Sequence, residues 1–291
     1  MKFSSLIALT ALASASAFAP LPIATSTQIN GSQSQSLYSS TSNNLGPSDG
    51  KSVGVTSKTS EWEISQISPN VQIQGQTRHT WNMADASKEV VQVALHSNGR
   101  PIQADLQVWI GPDWTPVTIH AKSEDGSQYP IQTLIGTRNK AANLEVMNTG
   151  PYTMPIKAAV SYAIDPLANA RDDLANDDQV EGQYMEGGSI HNLAFAPNIN
   201  QLQILLKTEG KQLNARVELL NGPSNVKASL EVFTNNGALN SLFVVFDTPG
   251  AGNAIVVKNL APLEYPCEMY AKASEVETVN SDGDGGVNWG Q

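Results

Sequence analysis

The chain is poor in the residues that perform chemistry. It holds one cysteine and four histidines in 291 residues. A single cysteine, Cys267, excludes an internal disulfide. The histidines (His79, His96, His120 and His191) stand singly, with no H-x-H, H-E-x-x-H or Cys/His cluster. A metal site needs three or four converging ligands, so no metal is expected, and no cofactor. No G-x-S-x-G, Walker loop or dinucleotide glycine fingerprint occurs. The glycine-bearing stretches 182–188 and 250–252 do not lead from a strand into a clear helix, so neither is expected to cradle phosphate. No catalytic residue is expected, and the chain reads as a non-enzyme. Bases are few, 17 Lys and Arg against 27 Asp and Glu, which argues against nucleic acid as a partner. Long apolar runs are absent too. The stretch from Leu6 to Leu12 is too short to span a bilayer and no second one follows it, so no membrane insertion is expected.

What the chain has instead is a repeat. Residues 90–157 align without a gap with residues 201–268, at a constant offset of 111, and twelve of the 68 pairs are identical. That is roughly three times the chance rate for average composition. Six of the twelve are turn formers: Gly99/Gly210, Gly111/Gly222, Pro112/Pro223, Gly126/Gly237, Pro151/Pro262 and Pro155/Pro266. Turns need a positive or fixed φ whereas strands need only a pattern, so a duplicated β unit keeps its turns while its strands drift. Cys267 corresponds to Ile156, which makes it a small buried hydrophobe rather than a nucleophile. His79 and His191 correspond if one residue is inserted, which suggests a structural role for both.

Within each copy, apolar residues alternate with polar ones. Val91, Val93 and Leu95 form one such face, and Ile102, Ala104, Leu106, Val108 and Ile110 the next. Asn98-Gly99 and Glu124-Asp125-Gly126 are expected to close hairpins, with Glu209-Gly210 and Asn235-Asn236-Gly237 as counterparts. A turn preference accounts for the carboxylates at 124 and 125 without acid–base chemistry. Some six strands in about 75 residues, without helical period, give an all-β fold. The expected architecture is two tandem, sequence-related antiparallel β-sandwich-like domains with a pseudo-two-fold relation, each with its own core. One merged sandwich is the alternative that the alignment leaves open.

The expected organisation is a signal peptide at 1–17, a plastid transit peptide at 18–50 and an N-terminal extension at 51–77. Repeat 1 takes 78–163, an acidic connector 164–188, repeat 2 189–274, and an acidic Gly-rich tail 275–291. Lys2, the apolar stretch and the small residues up to Ala17 make the secretory signal. Asp165-Pro166 can open a short helix over 167–174 as N-cap and N1 proline, or the connector stays irregular. Trp62, Ile64 and Ile67 give the extension apolar content that should dock on its own domain or a neighbour. In the tail, the DGDGG run at 282–286 lacks the remaining ligands of a calcium loop.

Candidate assembly or docking residues are Trp109, Trp114, Leu220 and Trp289. Trp109 and its counterpart Leu220 end otherwise polar rows (Gln103, Asp105 and Gln107; Asn214, Arg216 and Glu218), and Trp114 follows in the next loop. Trp109 covering the end of its own core is the competing reading. Trp289 is a lone aromatic on a Gly-rich acidic tail, as in docking peptides.

The run Ala15-Ser16-Ala17-Phe18-Ala19-Pro20 resembles the presequence junction of diatoms and related algae, cleaved between Ala17 and Phe18. With the absence of catalytic motifs and the duplicated β unit carrying Gly-Pro after its long strand, the chain resembles the pyrenoid shell proteins of diatoms. The resemblance implies a plastid-stroma protein at the pyrenoid periphery. It would assemble with itself into a sheet-like shell around the Rubisco-containing pyrenoid and support CO2 concentration and fixation. Other shell isoforms and Rubisco are the further partners it implies. The competing reading is a soluble plastid β-sandwich module binding carbohydrate or protein, with Trp81, Trp109 and Trp114 as platforms.

Overall fold

The computed structural model describes residues 70–275, apart from positions 112, 113, 139, 164–166, 196 and 198. The presequence with Ala17 and Phe18, the aromatic Trp62 and the tail with Trp289 lie outside the described residues, as do the helix-opening Asp165 and Pro166. The first copy supplies β1 (Val71–Ile73), β2 (Thr77–Met83), β3 (Val90–His96), β4 (Ile102–Ile110), β5 (Trp114–Ser123), β6 (Ile131–Gly136), β7 (Ala142–Asn148) and β8 (Ile156–Tyr162). After helix α1 (Leu167–Ala175), the second supplies β9 (Gln183–Met185), β10 (Ile190–Ala194), β11 (Ile199–Lys207), β12 (Leu213–Asn221), β13 (Val226–Thr234), β14 (Leu242–Asp247), β15 (Asn253–Asn259) and β16 (Cys267–Glu275).

These strands form two eight-stranded antiparallel sheets, and each sheet takes four strands from each copy. Sheet A runs β1-β8-β3-β6-β14-β11-β16-β9, and sheet B runs β10-β15-β12-β13-β5-β4-β7-β2. Both orders are palindromes once each strand is replaced by its counterpart. At the junction in sheet B, His120 pairs with Glu231, its own counterpart at offset 111; in sheet A, Thr133 pairs with Val244, again its counterpart.

This overturns the expectation of two domains with separate cores. Strand β13 pairs with β5, and β14 with β6, so hydrogen bonding passes from copy to copy in both sheets. One buried cluster joins Val93, Leu106 and Ile119 of the first copy to Leu202, Val217 and Phe246 of the second. The reason is area. A four-stranded half would leave β5, β6, β13 and β14 as open apolar edges, and pairing them removes four edges at once.

The turns at 97–100 and 124–126 are likewise not hairpins. β3 lies in sheet A and β4 in sheet B, β5 in B and β6 in A, so both turns arch between the sheets, as do their counterparts. Among the described residues only β4–β5 and β12–β13 are hairpins, the two that carry Gly-Pro after the long strand. Gly99 and Gly210 do take positive φ, at 67° and 79°, but an arch needs that as much as a hairpin does. The two arches of each copy lie against one another. Gly126 N donates to Arg100 O at 3.0 Å and Gly237 N to Lys211 O at 2.7 Å. A side chain at Gly126 would run into Ser97 and Ile102, and one at Gly237 into Thr208 and Leu213.

The identical Asn148 and Asn259 tie each copy's first strand to its last loop. Asn148 Nδ2 donates to Ile73 O and Met154 O at 3.1 and 2.9 Å, and its Oδ1 accepts from Gly150 N at 3.0 Å. Asn259 repeats this with Met185 O, Tyr265 O and Ala261 N. Helix α1 lies on the outer face of sheet A, with Leu167 and Leu174 buried against Leu205, Phe243 and Val245.

Candidate assembly surfaces

The outer face of sheet B carries polar side chains because β4, β5, β12 and β13 turn their apolar positions inward (Leu106, Ile119, Val217 and Leu230 are buried). Across its centre runs one row, Asp105, His120, Glu231 and Arg216, in direct cross-strand register. Asp105 Oδ1 lies 2.7 Å from His120 Nδ1, and Arg216 Nη2 lies 2.5 Å from Glu231 Oε2. Hydrogen bonding to Glu231 comes first among the influences that raise the Arg216 pKa. Glu218 extends the network, with Lys258 at 2.8 Å. The row bounds a shallow depression of about 450 Å³, shared by both copies. Asp105/Arg216 and His120/Glu231 are counterpart positions with acid and base exchanged. Because of that exchange, signs alternate across the junction when His120 is protonated, whereas two identical copies would set like groups side by side.

Among the described residues no group of three His, Cys, Asp or Glu is placed to hold a metal ion. Cys267 is buried and its thiol is pushed up to about 12 by desolvation. Among the described residues, no helix is long and apolar enough to cross a membrane.

Trp109, the penultimate residue of β4, lies opposite Asn143, half-buried, and its indole Nε1 is buried without a hydrogen-bond partner among the described residues. Trp114 opens β5, with the Arg138 guanidinium 4.9 Å and the Lys140 ammonium 5.9 Å from its ring centroid. Arg138, in the left-handed region at φ 57°, also donates to Asn240 and, at 2.7 Å, to Asn235 Oδ1 of the other copy. Trp114 is therefore part of a clamp between the copies. Leu220 pairs with Val226 at the far end of sheet B, since β5 and β13 run antiparallel. The structure brings Trp109 and Trp114 to one end of the sheet and Leu220 to the other, so the three form no single patch.

The surfaces that the pattern alone did not reveal are the open edges. Sheet B ends in β2 on one side and β10 on the other. The edge closed by the second copy exposes Tyr184 (63 %), Ile190 (59 %), Leu260 and Leu263 (67 %). Their counterparts in the first copy are Gln72, Arg78, Thr149 and Tyr152, three of them polar. The two ends thus differ in character. His79, on β2, packs edge-on against Trp81 with ring centroids 4.5 Å apart.

Fold and surfaces together define an all-β protein of two antiparallel sheets, whose distinctive features lie on its faces and edges. The sequence profile of the diatom pyrenoid shell proteins matches residues 62–273, and the chain belongs to that family. Membership makes it a structural protein of the pyrenoid, and so of the plastid. No curated protein matches the chain. Among solved structures, the PBSX exported protein XepA is 9 % identical over 70 % of this chain and 84 % of its own, with a TM-score of 0.23. The tandem CBM22 domains of Paenibacillus barcinonensis Xyn10C are 10 % identical over 71 % and 87 %, with a TM-score of 0.22. Neither superposition is close enough to carry an argument.

Proposed function

We propose that the chain assembles with copies of itself into a sheet-like shell around the Rubisco-containing pyrenoid, at its periphery in the plastid stroma, and so supports CO2 concentration and fixation. It does so as a non-enzymatic building block whose halves are related by a pseudo-two-fold axis through the His120–Glu231 and Thr133–Val244 pairs. The observation that carries this reading is the unlike pair of edges. The edge at β9 and β10 offers apolar surface to bury and the edge at β1 and β2 offers open strand backbone to pair with it, and a heterologous contact of this kind that does not close a ring propagates. β2 and β10 carry no proline to blunt them. Co-assembling isoforms and Rubisco would meet the remaining faces.

The test is size-exclusion chromatography with light scattering on the recombinant chain from Lys51, followed by negative-stain imaging. Ordered sheets or tubes are expected. A clean monomer at every concentration and salt would sink autonomous assembly and move a soluble binding module to first place.

A further inference from the structure

We propose that the segment ahead of β1, residues 55–69, is seated on the outer face of sheet A in the first half, with Trp62 laid over Ala94 and Ala159. These two alanines point away from the core formed by Val93, Leu95, Ala158 and Val160, yet each is only 1 % exposed. They pair directly across β3 and β8 and pack against no other described apolar side chain. Beside them Gln132, 2 % exposed on the same face, has an amide Oε1 with no hydrogen-bond partner among the described residues. Helix α1 does not account for this burial: its anchors Leu167 and Leu174 cluster with Val90, Leu134, Leu205, Phe243 and Val245, and neither alanine belongs to that cluster.

The second half shows what belongs there. The counterparts of Ala94 and Ala159 are Leu205 and Tyr270, also a direct cross-strand pair, and α1 covers them. Ahead of the first strand the offset between copies is 112. Gly75 and Gly187 meet the carbonyls of Pro151 and Pro262 in the same way. At that offset, the two buried anchors of α1, Leu167 and Leu174, correspond to Val55 and Trp62. Sizes are exchanged between the halves: a large Trp62 answers two alanines where Leu174 answers a leucine and a tyrosine. The exchange runs in the direction that close packing demands, the larger side chain meeting the smaller pair. Reach is no obstacle. β1 is two strands from β3, roughly 10 Å, whereas the eight residues from Trp62 to Pro69 can extend over about 25 Å. The family match begins at Trp62, ahead of β1.

The test uses the full chain carrying Ala159→Cys, with the buried Cys267 as an internal control. Labelling of the introduced thiol by a maleimide should be slow, and adding Trp62→Ala should speed it roughly tenfold by opening the seat. Equal labelling with and without Trp62→Ala would overturn the proposal. So would protection that vanishes on dilution, since a neighbouring copy would then be the occupant. Should circular dichroism show that Trp62→Ala unfolds the chain, a size exchange decides. Ala94→Leu with Ala159→Tyr should lower the melting temperature, and adding Trp62→Leu should restore it. No recovery would overturn the proposal.

Discussion

Asp125 and its counterpart Asn236 show how one turn can be held by two chemistries. The Asp125 carboxylate accepts from Ser127 N and Ser127 Oγ, both at 2.8 Å, and these bonds hold its pKa below the usual 3.8. Asn236 makes the same kind of contact with Ala238 N and Leu239 N but does not titrate. A carboxyl with a depressed folded pKa contributes stability above its unfolded pKa and loses it as pH falls through the folded value. Unfolding free energy measured from pH 5 downward should fall more steeply for the natural chain than for Asp125→Asn. The junction row makes a second prediction. Glu231→Arg places like charges beside Arg216, and urea unfolding should register a loss of about 1 kcal/mol. Adding Arg216→Glu should recover most of it. Equal losses in the single and double variants would mean that the row does not act as a network.

At the scale of elements, the sequence made the strands legible but not their partners. Alternation marked Val91, Val93 and Leu95 as one face because a half-buried strand has period two whichever sheet it joins. The turn glycines were legible for the same local reason. Whether Asn98-Gly99 folds a strand back onto its neighbour or sends it across to the facing sheet depends on what the next strand pairs with, and that is a long-range fact. Trp114 shows the same limit, since its partner Arg138 arrives from another loop. Outward positions such as Gln132 and Ala159 carry no mark of burial in the alternation, and the structure buries both. The first and last strands of each copy are joined by close approach. Gly187→Ala would drive a methyl into the carbonyl of Pro262 and should cost about 2 kcal/mol, and Gly75→Ala against Pro151 as much. Asn148→Ala, which frees two buried carbonyls, should cost a similar amount. Thermal melts of the three variants check this. A change under a few tenths of a kcal/mol would mean that the loops relax freely.

At the scale of the whole molecule, the prediction concerns the edges. Ile190→Glu with Leu263→Glu puts charge on two exposed positions that stabilise nothing internally, so the melting temperature should hold while light scattering reports smaller species. Assembly unchanged by this pair would move the contact away from the β9–β10 edge. The two-domain expectation failed at this scale because a repeat in sequence specifies what is duplicated and not where the copies close. The merged sheets also have a mechanical consequence. Eight strands hydrogen-bonded side by side, roughly 34 Å across at ordinary strand spacing, run through both copies without a hinge. A layer tiled from such plates cannot bend within a tile, so its curvature must be set at the seams. A few residues at the edges would then decide whether it lies flat, rolls into a tube or wraps a compartment.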